Sequence, residues 1–221
     1  NEPLVRDLNN YSVIAHEMLK GRELYSDMWH QKPPAIHLTY ALGQIIAGYG
    51  RSSIYFLNVA AAILLMAGAY LAGSAKGAGP TGGLFAATIA AALSCDFGTF
   101  ATEPNAESFI NICIIFAFFL LLKTDEKPNI GRYVLVGALF ALATLYKHVA
   151  VMSAVFLCLT FVIFPPPGES GRKNALKGVV IIALTGAAAW LSVFAYFALN
   201  NRFDSFYGAV FAYNRHYSGG L

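Results

Sequence analysis

The chain reads as an all-α, polytopic integral membrane protein, and three observations carry that reading. Hydrophobic residues fill 57% of its 221 positions. Charged residues fill 12%, where a water-soluble domain carries about 25%. The mean hydropathy is +0.56, and the apolar residues gather in long uncharged runs of the sort that cross bilayers. The formal charge of +3 is small and gives no ground for a nucleic-acid partner. Cys95, Cys113 and Cys158 lie in or beside apolar runs at spacings that fit no zinc pattern, so they read as small packing residues. The chain does not begin with Met, shows no signal peptide, and opens and closes in polar segments. It is expected to be a piece of a longer protein, lacking at least one N-terminal helix and a C-terminal part.

The polar part is Arg6–Pro34, which holds Asp7, Glu17, Arg22, Glu23, Asp27, His30 and Lys32. Within it, residues 10–20 are expected to form a short amphipathic helix, because Tyr11, Ile14, Ala15, Met18 and Leu19 recur at helical spacing. Asn9 or Asn10 is expected to cap its start and Gly21 to end it. At about 1.5 Å per residue it is too short to span a bilayer, and it should lie on the surface with its apolar side down. Gly21–Pro34 reads as loop, in which Pro33 biases Lys32 toward extended backbone and Pro33 or Pro34 can start the next helix.

The uncharged runs then follow: Pro33–Gly50, Ser52–Ala75, Gly77–Cys95, Ser108–Leu122, Tyr133–Tyr146, Val149–Gly168 and Gly178–Asn201. Faces such as GALFALA and TGAAAW suit close helix packing in lipid. The first run decides the topology. If it lies in the interface as a second surface helix, six spans remain. The loops on one side then hold Lys76, Lys123, Lys127, Arg132, Arg172, Lys173 and Lys177, against Lys147, Arg202 and Arg215 opposite. Lys and Arg in short loops favour the cytoplasm, so the polar arm is expected to face outward. The expected division is residues 1–52 as an outer loop with surface helices, 53–200 as six transmembrane helices, and 201–221 as a further outer loop.

Several residues recur in a familiar order: Asp7, then Tyr11–Gly21 (YSVIAHEMLKG), Tyr25-Ser26-Asp27, Lys32-Pro33-Pro34, Thr102-Glu103-Pro104, Lys147 and Phe211–Tyr217 (FAYNRHY). This set, spread over nearly the whole chain, resembles the membrane-embedded GT-C glycosyltransferases. It is most like protein O-mannosyltransferases and the bacterial transferases that attach aminoarabinose or galacturonate to lipid A. The resemblance implies a GT-C-type helical bundle with outer-face juxtamembrane helices. It also implies a polyprenyl-phosphate-linked sugar donor and a lipid, glycan or protein hydroxyl as acceptor. The setting it implies is the periplasmic side of a bacterial inner membrane. Two positions depart from the pattern. The family usually has two acids in a row where this chain has Asp7-Leu8, and Gln31 stands where some relatives place an acidic metal ligand.

Moving a sugar from a lipid phosphate to a hydroxyl requires a base for the acceptor proton and positive charge for the departing phosphate. Asp7 is the candidate base, with a capping or solvated carboxylate as its alternative. Lys32 is the candidate phosphate partner, with an interfacial lysine answering headgroups as its alternative. Glu103 is expected at the outer end of the Gly77–Cys95 helix or in the turn after it, positioning the acceptor or pairing with Lys32 or Lys147, with a solvated loop acid as its alternative. Lys147 reads as a second cation for the phosphate or as a snorkelling lysine. Tyr11, Arg215 and His216 complete the substrate-binding candidates, in a C-terminal segment (Phe206–Tyr217) whose aromatics serve equally as a membrane belt. No cofactor is implied; His30 and His216 keep a divalent metal open as a weak alternative. No P-loop, GxGxxG turn or Ser-His-Asp order is present, which removes soluble nucleotide-sugar chemistry. A transporter or flippase, or a GT-C-like scaffold without activity, remains the rival reading.

Overall fold

A computed structural model describes residues 6–94, 103–123, 129–165 and 171–215. Among these residues the chain is helical, and its one β-type pairing is an isolated bridge between Leu24 and Met28. The helices are α1 (Arg6–Leu19), α2 (Ala35–Ala47), α3 (Arg51–Gly73), α4 (Gly79–Ser94), α5 (Ala106–Leu122), α6 (Ile130–Tyr146), α7 (Ala150–Ile163), α8 (Gly171–Leu199) and α9 (Phe203–Tyr207). A π-helical turn, Gly208–Ala212, follows α9. Helices α3 and α8 are long and apolar enough to cross a membrane. The chain divides into two compact units: Asn1–Asn58 with Trp190–Leu221, and Val59–Ala189.

The first unit is organised by α1 and α2. Helix α1, described from Arg6 onward, includes residues ahead of the apolar spacing, so Asp7 lies within the helix and Asn9 and Asn10 are exposed residues inside it rather than caps. The polar run Arg6–Asn10 continues the helix because the apolar stripe reaches back to Leu8, which is 3% exposed. Gly21 ends the helix as expected: it has a φ of 91° and donates to the Met18 carbonyl. Helix α2 follows Pro34 and is inverted relative to a soluble amphipathic helix. Its buried face holds His37, Tyr40 and Gln44, and Gln44 donates to the Ser12 carbonyl across to α1 at 2.7 Å. Its exposed face holds Leu38, Leu42, Ile45 and Ile46. At 13 residues it is about 20 Å long, short of a bilayer core. A second cluster in this unit packs Ile14, Leu24 and Tyr25 with Phe197, Phe206, Ala209 and Val210. The C-terminal aromatics Phe206 and Phe211 are thus packing residues, stacked among Phe194 and Phe197.

The second unit is a helical bundle whose core joins Ala117, Leu121, Tyr133, Val136, Phe140, Phe161, Ala175 and Ile182. Helix α4 returns along α3 at backbone contact distance. A Cβ on Gly82 would lie 2.6 Å from the Gly73 carbonyl oxygen, and one on Gly83 would lie 2.8 Å from that of Tyr70. Asn105 caps α5 by accepting from the Ser108 N–H, and Asn129 caps α6 by accepting from the Arg132 N–H, each at 3.1 Å. Helix α8 is already helical at Gly171, ahead of the uncharged run that opens at Gly178. Straight-chain helix formers (Arg172, Lys173, Leu176, Lys177) propagate it through what the charge pattern reads as a loop.

Candidate active site

The loop between α1 and α2 is held by its own side chains. The Asp27 carboxylate accepts from the Glu23 N–H at 2.8 Å, and the Arg22 guanidinium donates to the Asp27 carbonyl at 3.3 Å. Tyr25 sits in the left-handed region with φ 74°, and its N–H donates to the Met28 carbonyl at 2.9 Å. Its ring is buried against Phe197 and Phe206. The Tyr25 hydroxyl donates to the Lys32 carbonyl at 2.8 Å. The Lys32 N–H donates to His30 Nδ1 at 3.2 Å. The C-terminal segment closes on the same loop, since Asn214 Nδ2 donates to the Gln31 carbonyl at 2.9 Å.

His30 feels the charges of both Asp7 and Lys32. Burial pushes its imidazole down to about 4; the Lys32 charge adds to that depression and the Asp7 charge opposes it. Its ring lies edge-on to Tyr11 at 5.5 Å and to His37 at 4.8 Å. His37 is fully buried, so its imidazole too is held well below its ordinary value, and neither ring nitrogen has a hydrogen-bond partner among the described residues. Burial also raises the Tyr25 phenol, which keeps it a donor. Asp7 is exposed, whereas Leu8 points into the packed side of α1. A carboxylate at position 8 would be buried.

The sequence candidates fall into two groups. Asp7, Tyr11, Lys32 and Arg215 belong to the first unit. Tyr11 is 2% exposed and packs its ring between His30, His37 and Tyr40. Glu103 and Lys147 belong to the second unit. Glu103 lies just ahead of α5, and its carbonyl accepts from the Ser108 hydroxyl at 2.7 Å. Lys147 pairs with Glu107 in the first turn of α5, with Nζ 2.6 Å from the carboxylate. His216, Thr102, Cys95, Lys127 and Tyr217 lie outside the described residues. The second unit also holds a cavity of about 910 Å³ among α3, α4, α5 and α7. Its walls include Leu65, Ile115, Phe118 and Phe156, and its polar lining comes largely from Asn105, Glu107, Ser108 and Asn111 at the start of α5.

Among the described residues no group of three or more His, Cys, Asp or Glu side chains is arranged to hold a metal. His37 was missed by sequence reasoning, although His37, Tyr40 and Gln44 at i, i+3 and i+7 mark a polar face within an apolar run. The family model described as dolichyl-phosphate-mannose-protein mannosyltransferase matches residues 31–196. That range includes Lys32, Glu103 and Lys147 and stops short of Asp7 and Tyr11. No curated protein and no solved structure matches the chain.

Proposed function

We propose, for a chain that belongs to the dolichyl-phosphate-mannose-protein mannosyltransferase family, a sugar transfer from a polyprenyl-phosphate donor to a lipid, glycan or protein hydroxyl. The family consists of membrane-embedded glycosyltransferases of the GT-C type. In this reading the protein is polytopic, α1 and α2 lie on the outer face, and Leu38, Leu42, Ile45 and Ile46 meet lipid. The setting is the periplasmic side of a bacterial inner membrane.

What carries the reading is the family match over residues 31–196, which takes in Lys32; Asp7 and Lys32, a carboxylate and an ammonium from separate segments, are the candidate groups, and both act electrostatically on His30. Asp7 takes the acceptor proton as the acceptor oxygen forms its bond to the anomeric carbon. The bond from that carbon to the phosphate oxygen breaks on the opposite side, and the electron pair leaves with the polyprenyl phosphate. Lys32 meets the negative charge that develops there. One displacement with one base inverts the anomeric centre. Glu103 orients the acceptor. Lys147, Arg215 and His216 supply further positive or hydrogen-bonding groups to substrate, and Tyr11 supports the wall around His30. The amphiphilic cavity of the second unit supports a lipid-linked substrate. No metal enters this reading.

Mass spectrometry of envelope glycans and lipids tests it in cells carrying the wild-type gene, no gene, or Asp7→Asn. Deletion is expected to erase one defined sugar addition. Asp7→Asn should lower the same addition by about 10²–10⁴-fold while the purified variant still binds polyprenyl-phosphate-linked sugar. Full transfer by Asp7→Asn would remove Asp7 as the base. A transporter or a scaffold would leave the sugar pattern indifferent to this substitution.

A further inference from the structure

We propose that Tyr25, His30 and Asn214 are positioning residues that pin the main chain of Lys32 and thereby set the point from which its ammonium reaches the donor phosphate. The inference rests on the reading of Lys32 as the phosphate partner and names the groups that make that reading work.

Both polar atoms of the peptide unit joining Gln31 to Lys32 are bonded to side chains. Its carbonyl accepts from Asn214 at 2.9 Å, and its N–H donates to His30 Nδ1 at 3.2 Å. The next carbonyl, that of Lys32 itself, accepts from the Tyr25 hydroxyl at 2.8 Å. Pro33, fully buried, then locks the following φ. Loop backbone is ordinarily solvated; here three side chains, two from the loop itself and one from the C-terminal segment, hold it in succession.

Each of the three is itself anchored. The Tyr25 ring is 4% exposed between Phe197 and Phe206, and its backbone holds a φ of 74°, which an L side chain adopts only when the surroundings enforce it. His30 is 8% exposed and wedged against Tyr11 and His37. Asn214 also donates to the Val210 carbonyl at 2.8 Å. It lies just past the π-helical turn Gly208–Ala212, beyond Tyr213, where the wider turn shifts the facing of the residues that follow relative to an α-helix.

The purpose follows from the chemistry of lysine. Its ammonium is a point charge on a flexible four-carbon stem, so its placement is only as good as the Cα that carries it. A hydroxyl, a neutral imidazole and an amide fix that Cα without adding charge that would compete for the ammonium. His30 accepts at Nδ1, so its proton is assigned to Nε2.

Equilibrium titration of the purified full chain in detergent with decaprenyl phosphate, with decaprenol as the uncharged control, tests the inference. Wild type should bind the phosphate more tightly than the alcohol, and Lys32→Ala should erase that preference. Tyr25→Phe and His30→Leu should each weaken phosphate binding by about 5- to 10-fold, the size of one lost hydrogen bond, and leave decaprenol binding unchanged. His30→Asn should bind as wild type, because its side-chain oxygen can accept where Nδ1 does. In a Lys32→Ala background, Tyr25→Phe should have no further effect. If Lys32→Ala binds as wild type, the lysine reading itself fails. If Lys32→Ala weakens binding but Tyr25→Phe matches wild type, or adds its full effect to Lys32→Ala, the positioning role is overturned. Tyr25→Phe removes one oxygen from a packed ring, so it carries the test even where His30→Leu does not fold.

Discussion

His30 couples the proposed site to pH. Its imidazole titrates ordinarily near 6.5 and, buried here, at about 4. Between those values the unfolded chain binds a proton that the folded chain refuses, so stability is full above pH 6.5 and falls as pH drops toward 4. The loss from His30 is on the order of 3 kcal/mol. Asp7 and Tyr11 from α1, His37 from α2, and Lys32 from the loop face this ring. Buried His37 contributes with the same sign. Melting midpoints in detergent from pH 7 to pH 4 should fall for wild type and fall less for His30→Asn; parallel curves would refute the assignment. Much at this scale was legible in sequence. Asp7 and Lys32 stand out because a charged residue in an apolar chain needs a reason. What His30 does was not legible, because the burial and neighbours that set its proton affinity come from α1 and α2 meeting.

Helices are where sequence reading and structure agree most, because hydrophobic runs and capping residues act within a few positions of each other. Two helices reach further back than the apolar spacing indicates: α1 includes Arg6–Asn9, where Leu8 is buried, and α8 includes the helix-favouring Arg172, Lys173 and Lys177. Packing between helices turns on glycine. Gly83→Val would drive its side chain into the Tyr70 carbonyl oxygen, 2.8 Å from the Cβ position, and backbone there cannot yield cheaply. It should destabilise the protein by about 1–3 kcal/mol. Gly186 in α8 has nothing within 4 Å of its Cβ position, so Gly186→Ala should be neutral or stabilise by up to about 1 kcal/mol. Thermal unfolding in detergent separates the two, and equal loss in both variants would contradict the close-approach account.

At the scale of the molecule, the proposed disposition rests on basic residues gathered at one set of helix ends and connections, among them Arg132 in α6 and Arg172, Lys173 and Lys177 in α8, which the proposal assigns to the cytoplasm. It is tested by single cysteines at Val149 and Gly171, in a background with the three native cysteines replaced. An impermeant maleimide applied to intact cells should label Val149→Cys, and should reach Gly171→Cys only after permeabilisation. The reverse pattern would invert the assignment and place α1 and its Asp7 inside.

By itself the sequence determined the helical class, the order of the helices, the family and the small set of charged residues worth testing. Those properties depend on composition and on periodicities a few residues long. Only the tertiary structure decided who meets whom. It gave Lys147 the carboxylate of Glu107, and it brought Asn214 to Gln31 across 183 positions of chain. It also buried Leu8 beside the exposed Asp7. A hydrogen-bond partner so distant leaves no periodic trace in sequence, because it arises from the packing of whole helices rather than from any local preference of the residues it joins.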